Sequence, residues 1–295
     1  MHFQKLTLVG VGLLGGSLGL ALKKGGLADR VVGYVRRSAS IDECTGKGAV
    51  DEATLDLLSA VRDADLIVLC TPIAQMRELS EAMLPGLKRE AIVTDVGSVK
   101  GSVVRELEPL IHRSGAHFVG SHPMAGAEKM GVSAARADLF VDAICVITPS
   151  TKTPVKAVRK VEDLWHAVGA RTIRMKPDLH DEFVSRSSHL PHVVAAELAN
   201  YVLSPVHPRE QAQLCANGFR DTTRIASGSP EMWRDIALAN RDHLARVLGV
   251  FIEDLQEFRL ALERGDTKAI AEFFALAKQR RDQWCGQGGA SPSPE

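Results

Sequence analysis

Nothing in this sequence pairs its cysteines. Cys44, Cys70, Cys145, Cys215 and Cys285 are odd in number and contain no C-x-x-C. A chain of 295 residues has core enough without staples, so the pattern reads as free thiols in a reducing compartment. Cys70 and Cys145 lie inside apolar, strand-like runs, where cysteine behaves as a small hydrophobe. No apolar stretch reaches the roughly 18 residues of a membrane-spanning helix. The opening MHFQKLTLVGVG lacks the basic region, long apolar core and cleavage site of a signal peptide. A cytoplasmic protein without a membrane partner is expected. Net charge is also absent: 36 Lys and Arg face 36 Asp and Glu. That balance argues against a cationic nucleic-acid binder or a polybasic membrane binder. It leaves a charged pocket open, because a sum says nothing about where charges sit.

What is present is an alternation. Apolar runs at 5–9, 31–35, 66–70, 91–95, 117–120, 143–147 and 171–175 read as strands. The stretches 13–24, 53–61, 76–84, 99–114 and 155–168 read as helices between them. Short, continuously apolar strands in a β-then-α order predict an α/β fold, a parallel sheet covered on both faces. After Lys176-Pro177 the texture turns helical, with candidates at 180–203, 210–215, 232–264 and 267–281. The stretch 232–264 is long for a globular helix. It predicts either a dimer-forming or domain-spanning helix or two helices broken near Gly249. The expected organisation is a Rossmann-type nucleotide-binding domain (1–176), an all-helical domain (177–285) and a disordered Gly/Ser/Pro-rich tail (286–295).

Gly10-Val11-Gly12-Leu13-Leu14-Gly15 is G-x-G-x-x-G between a strand and a helix. In that context the pattern points to a dinucleotide: Gly10 for the turn, Gly12 for close approach of a pyrophosphate, Gly15 for helix–strand packing. Leu13 and Leu14 place the helix N-terminus against the phosphates. NAD sites usually follow the second strand with Asp or Glu. Here Val35 leads into Arg36, Arg37 and Ser38. Guanidinium donors and a hydroxyl match a 2′-phosphate, so NADP is favoured, with NAD the alternative. Thr71-Pro72 ends another strand on the expected ligand edge, although Pro72 also suits simple helix initiation.

Three polar clusters are candidates for chemistry. Ser98 sits at a strand-to-helix junction, where it either caps a helix or serves the site. Ser121 and His122, followed by Pro123 and Glu128, are expected on a loop at the ligand edge. Alcohol oxidation by hydride loss needs an acceptor for the hydroxyl proton, and an imidazole suits that task near neutrality. In the helical half, His189 and His192 are spaced to share one face, but H-x-x-H without a suitably spaced carboxylate or thiolate is no zinc pattern. Arg220 and Arg224 offer a fork for a carboxylate, or merely surface ion pairs, and Trp233 offers a pocket wall.

VGVGLLGGSLGLAL, DVGSVKG, GSHPMAGAEKMG, SSHLPH and GFRDTTRIASGSPEMWRDI stand in this order over residues 4–284. Together they resemble the prephenate and arogenate dehydrogenases of tyrosine biosynthesis. That resemblance implies oxidative decarboxylation of a cyclohexadienol with hydride transfer to a nicotinamide. It gives His122 the 4-hydroxyl proton, and Ser98 a hydrogen bond to His122 or to that hydroxyl. Arg224, favoured over Arg220, binds a substrate carboxylate. His192 binds substrate from the helical domain, and Glu128 and Trp233 line or gate the pocket, with Ser121 alongside. It also implies a homodimer joined through the helical domain. With ten residues after Cys285, a C-terminal ACT regulatory module is not expected. A rival, the β-hydroxyacid dehydrogenase type, calls for a lysine on the first helix of the helical domain. Residues 180–200 contain none.

Overall fold

The computed structural model describes residues 1–127 and 129–286. The first part alternates as the apolar runs demand: β1 (Phe3–Val9), α1 (Leu13–Lys24), β2 (Ala28–Tyr34), α2 (Ala39–Gly46), β3 (Glu52–Thr54), α3 (Leu57–Val61), β4 (Leu66–Leu69), α4 (Ile73–Met83), β5 (Ile92–Asp95), α5 (Gly101–His112), β6 (His117–Pro123), β7 (Ile144–Thr148), α6 (Val155–Ala167) and β8 (Arg171–Arg174). The strands form one sheet in the order β3-β2-β1-β4-β5-β6-β7-β8. The order reverses between β1 and β4, the switch point where doubly wound sheets bind ligands.

Successive residues of a strand point to opposite faces. Leu66 and Val68 therefore join Leu8, Leu18, Leu22 and Trp165 in the core under α1 and α6. Ile67 and Leu69 join Met76, Met83, Val103 and Leu107 in the core under α4 and α5. Burial on both faces explains the unbroken apolar strands.

Two local expectations are corrected. Residues 53–61 are not one helix. Val32 pairs with Glu52 and Tyr34 with Thr54, which draws the first residues into the edge strand β3, and Asp56 caps the short α3 through the N–H groups of Leu58 and Ser59. Nor does the strand at 117 stop at Gly120. It runs through Pro123 because Gly120–Pro123 pair antiparallel with Cys145–Thr148, so His122 stands on a strand rather than a loop.

The helical part comprises α7 (Pro177–Val184), α8 (Leu190–Val202), α9 (Arg209–Gln213), α10 (Asn217–Thr223), α11 (Pro230–Ala239), α12 (Arg241–Arg264) and α13 (Thr267–Gly286). A π-helical turn over Ser185–His189 joins α7 to α8 and ends two residues before Pro191, which has no N–H to give. The stretch 232–264 is broken at Asn240, not near Gly249, which lies inside α12. Asn240 is 3% exposed. Its side-chain N–H group donates to the Asp181 carbonyl (2.9 Å) and lies 3.1 Å from His189 Nδ1, and that tether ends α11. The expected boundary at 176 falls between β8 and α7. The chain separates into compact units at another place, Met1–Leu244 and the remainder from Ala245. In the second unit Phe258 packs on Phe273 (ring centroids 4.5 Å) and Phe274 (5.7 Å). The tail beyond 286 and Glu128 lie outside the described residues.

Candidate functional site

The glycine turn has the shape a dinucleotide needs. Gly10 sits at φ +94°, and a Cβ there would lie 2.9 Å from Thr71 Cγ2. A Cβ on Gly15 would lie 2.2 Å from the Gly10 carbonyl oxygen. Gly12, by contrast, faces open space. It precedes Leu13 and Leu14 on α1, whose first turn has no side-chain cap and no acidic residue. Those amides are open to an anion. Thr71, two residues past β4 and beside this turn, holds a buried hydroxyl with no partner among the described residues. The cradle therefore fits a dinucleotide. Pro72 is the residue before α4. Val35 is buried, while Arg36, Arg37 and Ser38 are exposed at the start of α2. Among the described residues neither arginine is paired with a carboxylate.

Past the end of β5 the chain builds a polar stack under β6. Lys100 and Asp95 form an ion pair, both side chains fully buried. Asp95 Oδ2 also accepts the Gly97 N–H (2.8 Å), and Oδ1 accepts the Ser121 N–H (3.1 Å). Lys100 donates a second bond to the Ser121 carbonyl (2.9 Å). The Ser121 hydroxyl meets Thr94 Oγ1 (2.9 Å) and accepts from the Trp165 indole N–H (3.1 Å). Ser121 was expected to meet substrate. It has no exposed surface, and its hydroxyl and amide bond Thr94, Trp165 and Asp95.

His122, 7% exposed, is the next residue on the strand. Its Nδ1 lies 2.8 Å from His180 Nε2, and His180 Nδ1 lies 2.7 Å from Asp181 Oδ1. Asp181 in turn accepts the N–H groups of Lys100 (2.7 Å) and Gly101 (2.8 Å). It is the anion at the N-terminus of α5, where the helix dipole favours it. A Cβ on Gly101 would lie 2.8 Å from that carboxylate, so only glycine admits the contact. Burial, helped by the charges of His180, Lys100 and His189, holds the His122 imidazole well below its usual range. Burial likewise lowers His180, and takes His189 down to about 4. Half-buried Ser98 precedes α5, and among the described residues no hydrogen bond joins it to His122. Lys100, Asp95, His180 and Asp181 were not singled out from the sequence. A lysine five residues after a strand-end aspartate, and a histidine directly before an aspartate, are the only marks they leave in the sequence.

In the helical layer His192 stacks on Trp233, with centroids 3.7 Å apart, and His189 meets the same indole edge-on. His192 Nδ1 donates to the Ser188 carbonyl (2.9 Å), which leaves Nε2 as an acceptor. Burial lowers the His192 pKa, the bond to the Ser188 carbonyl works against that, and the charge of Arg224 lowers it further. Arg224 and Arg220 both border a depression with Phe219 and Thr223.

The family model "Prephenate dehydrogenase, nucleotide-binding domain" matches residues 18–174, and "Prephenate dehydrogenase, dimerization domain" matches 176–276. A prephenate dehydrogenase of Bacillus subtilis is 36% identical over 283 residues, spanning 94% of this chain and 75% of the relative. A cyclohexadienyl dehydrogenase of Zymomonas mobilis is 35% identical, spanning 95% of both. The crystal structure of prephenate dehydrogenase from A. aeolicus, in complex with hydroxyphenyl propionate and NAD+, superposes with a TM-score of 0.90 at 32% identity, covering 96% of this chain and 99% of that one. A Synechocystis arogenate dehydrogenase gives 0.80 at 29%, covering 95% and 100%. The sheet with its glycine cradle, the helical layer and these likenesses agree: the chain belongs to the prephenate dehydrogenase family and is a pyridine-nucleotide-dependent oxidoreductase.

Proposed function

We propose that the chain oxidatively decarboxylates prephenate or arogenate, giving 4-hydroxyphenylpyruvate or tyrosine, with NADP preferred to NAD. The observation that carries this reading is the His122 imidazole, buried and held neutral on the C-terminal part of β6, beyond the residues that pair with β5. Gly10, Gly12, Leu13, Leu14, Gly15, Arg36, Arg37, Ser38, Thr71 and Pro72 hold the cofactor. When bound, its nicotinamide supplies the hydride acceptor. His122 takes the 4-hydroxyl proton as the C4 hydride leaves, and Ser98 binds that hydroxyl. Arg224 holds a substrate carboxylate, and His192 binds substrate from the helical domain by accepting a hydrogen bond at Nε2, with Trp233 as the wall behind it. Glu128 is assigned to the same pocket. Loss of the ring carboxylate as CO2 leaves its bonding pair in the ring, and aromaticity drives the step. The match to a dimerisation-domain model and the exposed Leu255, Leu262, Phe274 and Leu276 on α12 and α13 support a homodimer joined through the helical domain.

Initial rates with prephenate and arogenate, each with NAD and NADP, test the reading. Reduced nucleotide is expected with at least one acid, fastest with NADP, and none with either acid overturns the reading. Arg36→Ala raises KM for NADP by about tenfold or more, as loss of a charge-assisted hydrogen bond requires, and changes KM for NAD little. Equal effects on both cofactors contradict the 2′-phosphate assignment.

The three buried histidines also set a pH response. Each has a folded pKa below its unfolded value of 6.5, so the unfolded chain binds more protons below 6.5. Their contribution to stability is complete above 6.5 and declines as pH falls from there toward the folded values, about 4 for His189. His122 itself stays neutral through the upper part of that window. Thermal midpoints therefore fall between pH 6.5 and 5 while kcat/KM holds. An activity loss centred on the ordinary histidine pKa, with constant stability, contradicts this.

A further inference from the structure

The contact between His122 and His180 sets the direction in which a proton can move. A carboxylate only accepts, so the hydrogen on His180 must sit on Nδ1, pointing at Asp181 Oδ1 (2.7 Å). A neutral His180 then offers a lone pair at Nε2. The hydrogen in the 2.8 Å contact belongs to His122 Nδ1, and the basic nitrogen of His122 is Nε2. The rings meet edge-on, with centroids 5.1 Å apart, which suits a hydrogen bond in the plane of one ring. His180 has no exposed surface, whereas His122 keeps 7%. The inner ring is thus sealed from water and reached only through the outer one.

We propose that His180 receives the proton through His122: as the substrate O–H bond breaks and a proton binds His122 Nε2, the proton on His122 Nδ1 passes to His180 Nε2. The cation then rests on His180, against the Asp181 carboxylate, and His122 is neutral again. One proton enters the chain and one hydrogen bond reverses; no electrons move beyond the hydride already counted. This deepens the proposed activity and rests on it. His180 touches no substrate and acts through His122.

The charges around the pair favour that resting place. His122 faces the Lys100 ammonium under β6 and the neutral His189 from the helical layer, with Cys145 on the neighbouring strand. His180 faces the same Lys100, but also the carboxylates of Asp181 and Asp95, both of which favour its charged form. Asp181 is fixed by the two amides at the head of α5, so it cannot swing away while the proton arrives. The same carboxylate therefore ties the chemistry on β6 to the packing of α7 on α5.

The test is His180→Gln, whose side-chain carbonyl can still accept from His122 Nδ1 but cannot take up a proton. Turnover should fall by about tenfold to a hundredfold, while KM for substrate stays within about threefold of wild type. Rates in mixtures of light and heavy water should depend on deuterium fraction along a curve in the wild type, for two protons in flight, and along a line in the variant. A variant within about twofold of wild-type kcat, with the curve unchanged, overturns the relay. Nitrogen-15 spectra of histidine-labelled wild-type protein decide the matter independently of folding in the variant. Both His122 and His180 should carry their hydrogen on Nδ1, and a His122 protonated on Nε2 overturns the proposal. If neither cyclohexadienol is turned over, the activity assignment fails, whereas the spectra still report the two tautomers.

Discussion

Replacing His122 by Asn lowers kcat by about a hundredfold to ten-thousandfold, the range for loss of a positioned general base, and leaves the cofactor dissociation constant nearly unchanged. The asparagine amide fills much of the imidazole volume and keeps a polar group on β6. It has no lone pair basic enough to take a hydroxyl proton near neutrality. The binding cradle is built from other elements, at the ends of β1, β2 and β4, so nucleotide affinity has no reason to change. The measurement is a pair: single-turnover rate for chemistry, and fluorescence titration for the cofactor. Turnover near wild type at neutral pH contradicts the role. A parallel loss of cofactor affinity would mean that His122 supports the fold rather than the reaction.

Lys100→Met destabilises the protein by about 3–5 kcal/mol, the cost of leaving a buried partner charge uncompensated. Lys100 is fully buried and bonds both Asp95 and the Ser121 carbonyl. Methionine has nearly the length of lysine but no donor. It strands the Asp95 carboxylate inside the sheet and leaves a backbone acceptor open on the strand that carries His122. Denaturant unfolding measures the change. The double variant Lys100→Met/Asp95→Asn should recover much of the loss, because the stranded charge is then gone. A single-variant loss under about 1 kcal/mol contradicts the view that this pair holds β6 in place. Turnover should fall with stability in Lys100→Met, since Ser121 is anchored by the same pair directly before His122.

These two residues also show where sequence reading succeeds and where it stops. His122 was legible because its chemistry is scarce: an imidazole after a short apolar run, followed by proline and small residues. The glycine turn was legible because its spacing encodes a local shape. Lys100 was not, because nothing local marks a charge as buried. Its burial depends on Asp95 and Ser121, which the sheet brings together from different strands. His180 and Asp181 were visible as titratable residues ahead of SSHLPH, but their partners lie 58 and 81 positions away in the chain. The break at Asn240 was misplaced for the same reason. Glycine is the local signal for a helix stop, whereas here a buried amide is held by Asp181 and His189. Strand β6 was read too short because its last residues pair antiparallel with β7, and pairing direction leaves no mark in a short apolar run. Arg36 and Arg37 are exposed, and among the described residues neither is paired with a carboxylate, so the packing leaves their assignment to the cofactor assay.

The central claim is that hydride loss and loss of the ring carboxylate occur as one reaction at this site. The direct measurement follows reduced nucleotide and released CO2 together, with prephenate or arogenate as substrate and NADP or NAD as acceptor. The account predicts one CO2 for each reduced nucleotide throughout the progress curve, with an aromatic product. Reduced nucleotide formed without CO2, or CO2 released without reduced nucleotide, would contradict it.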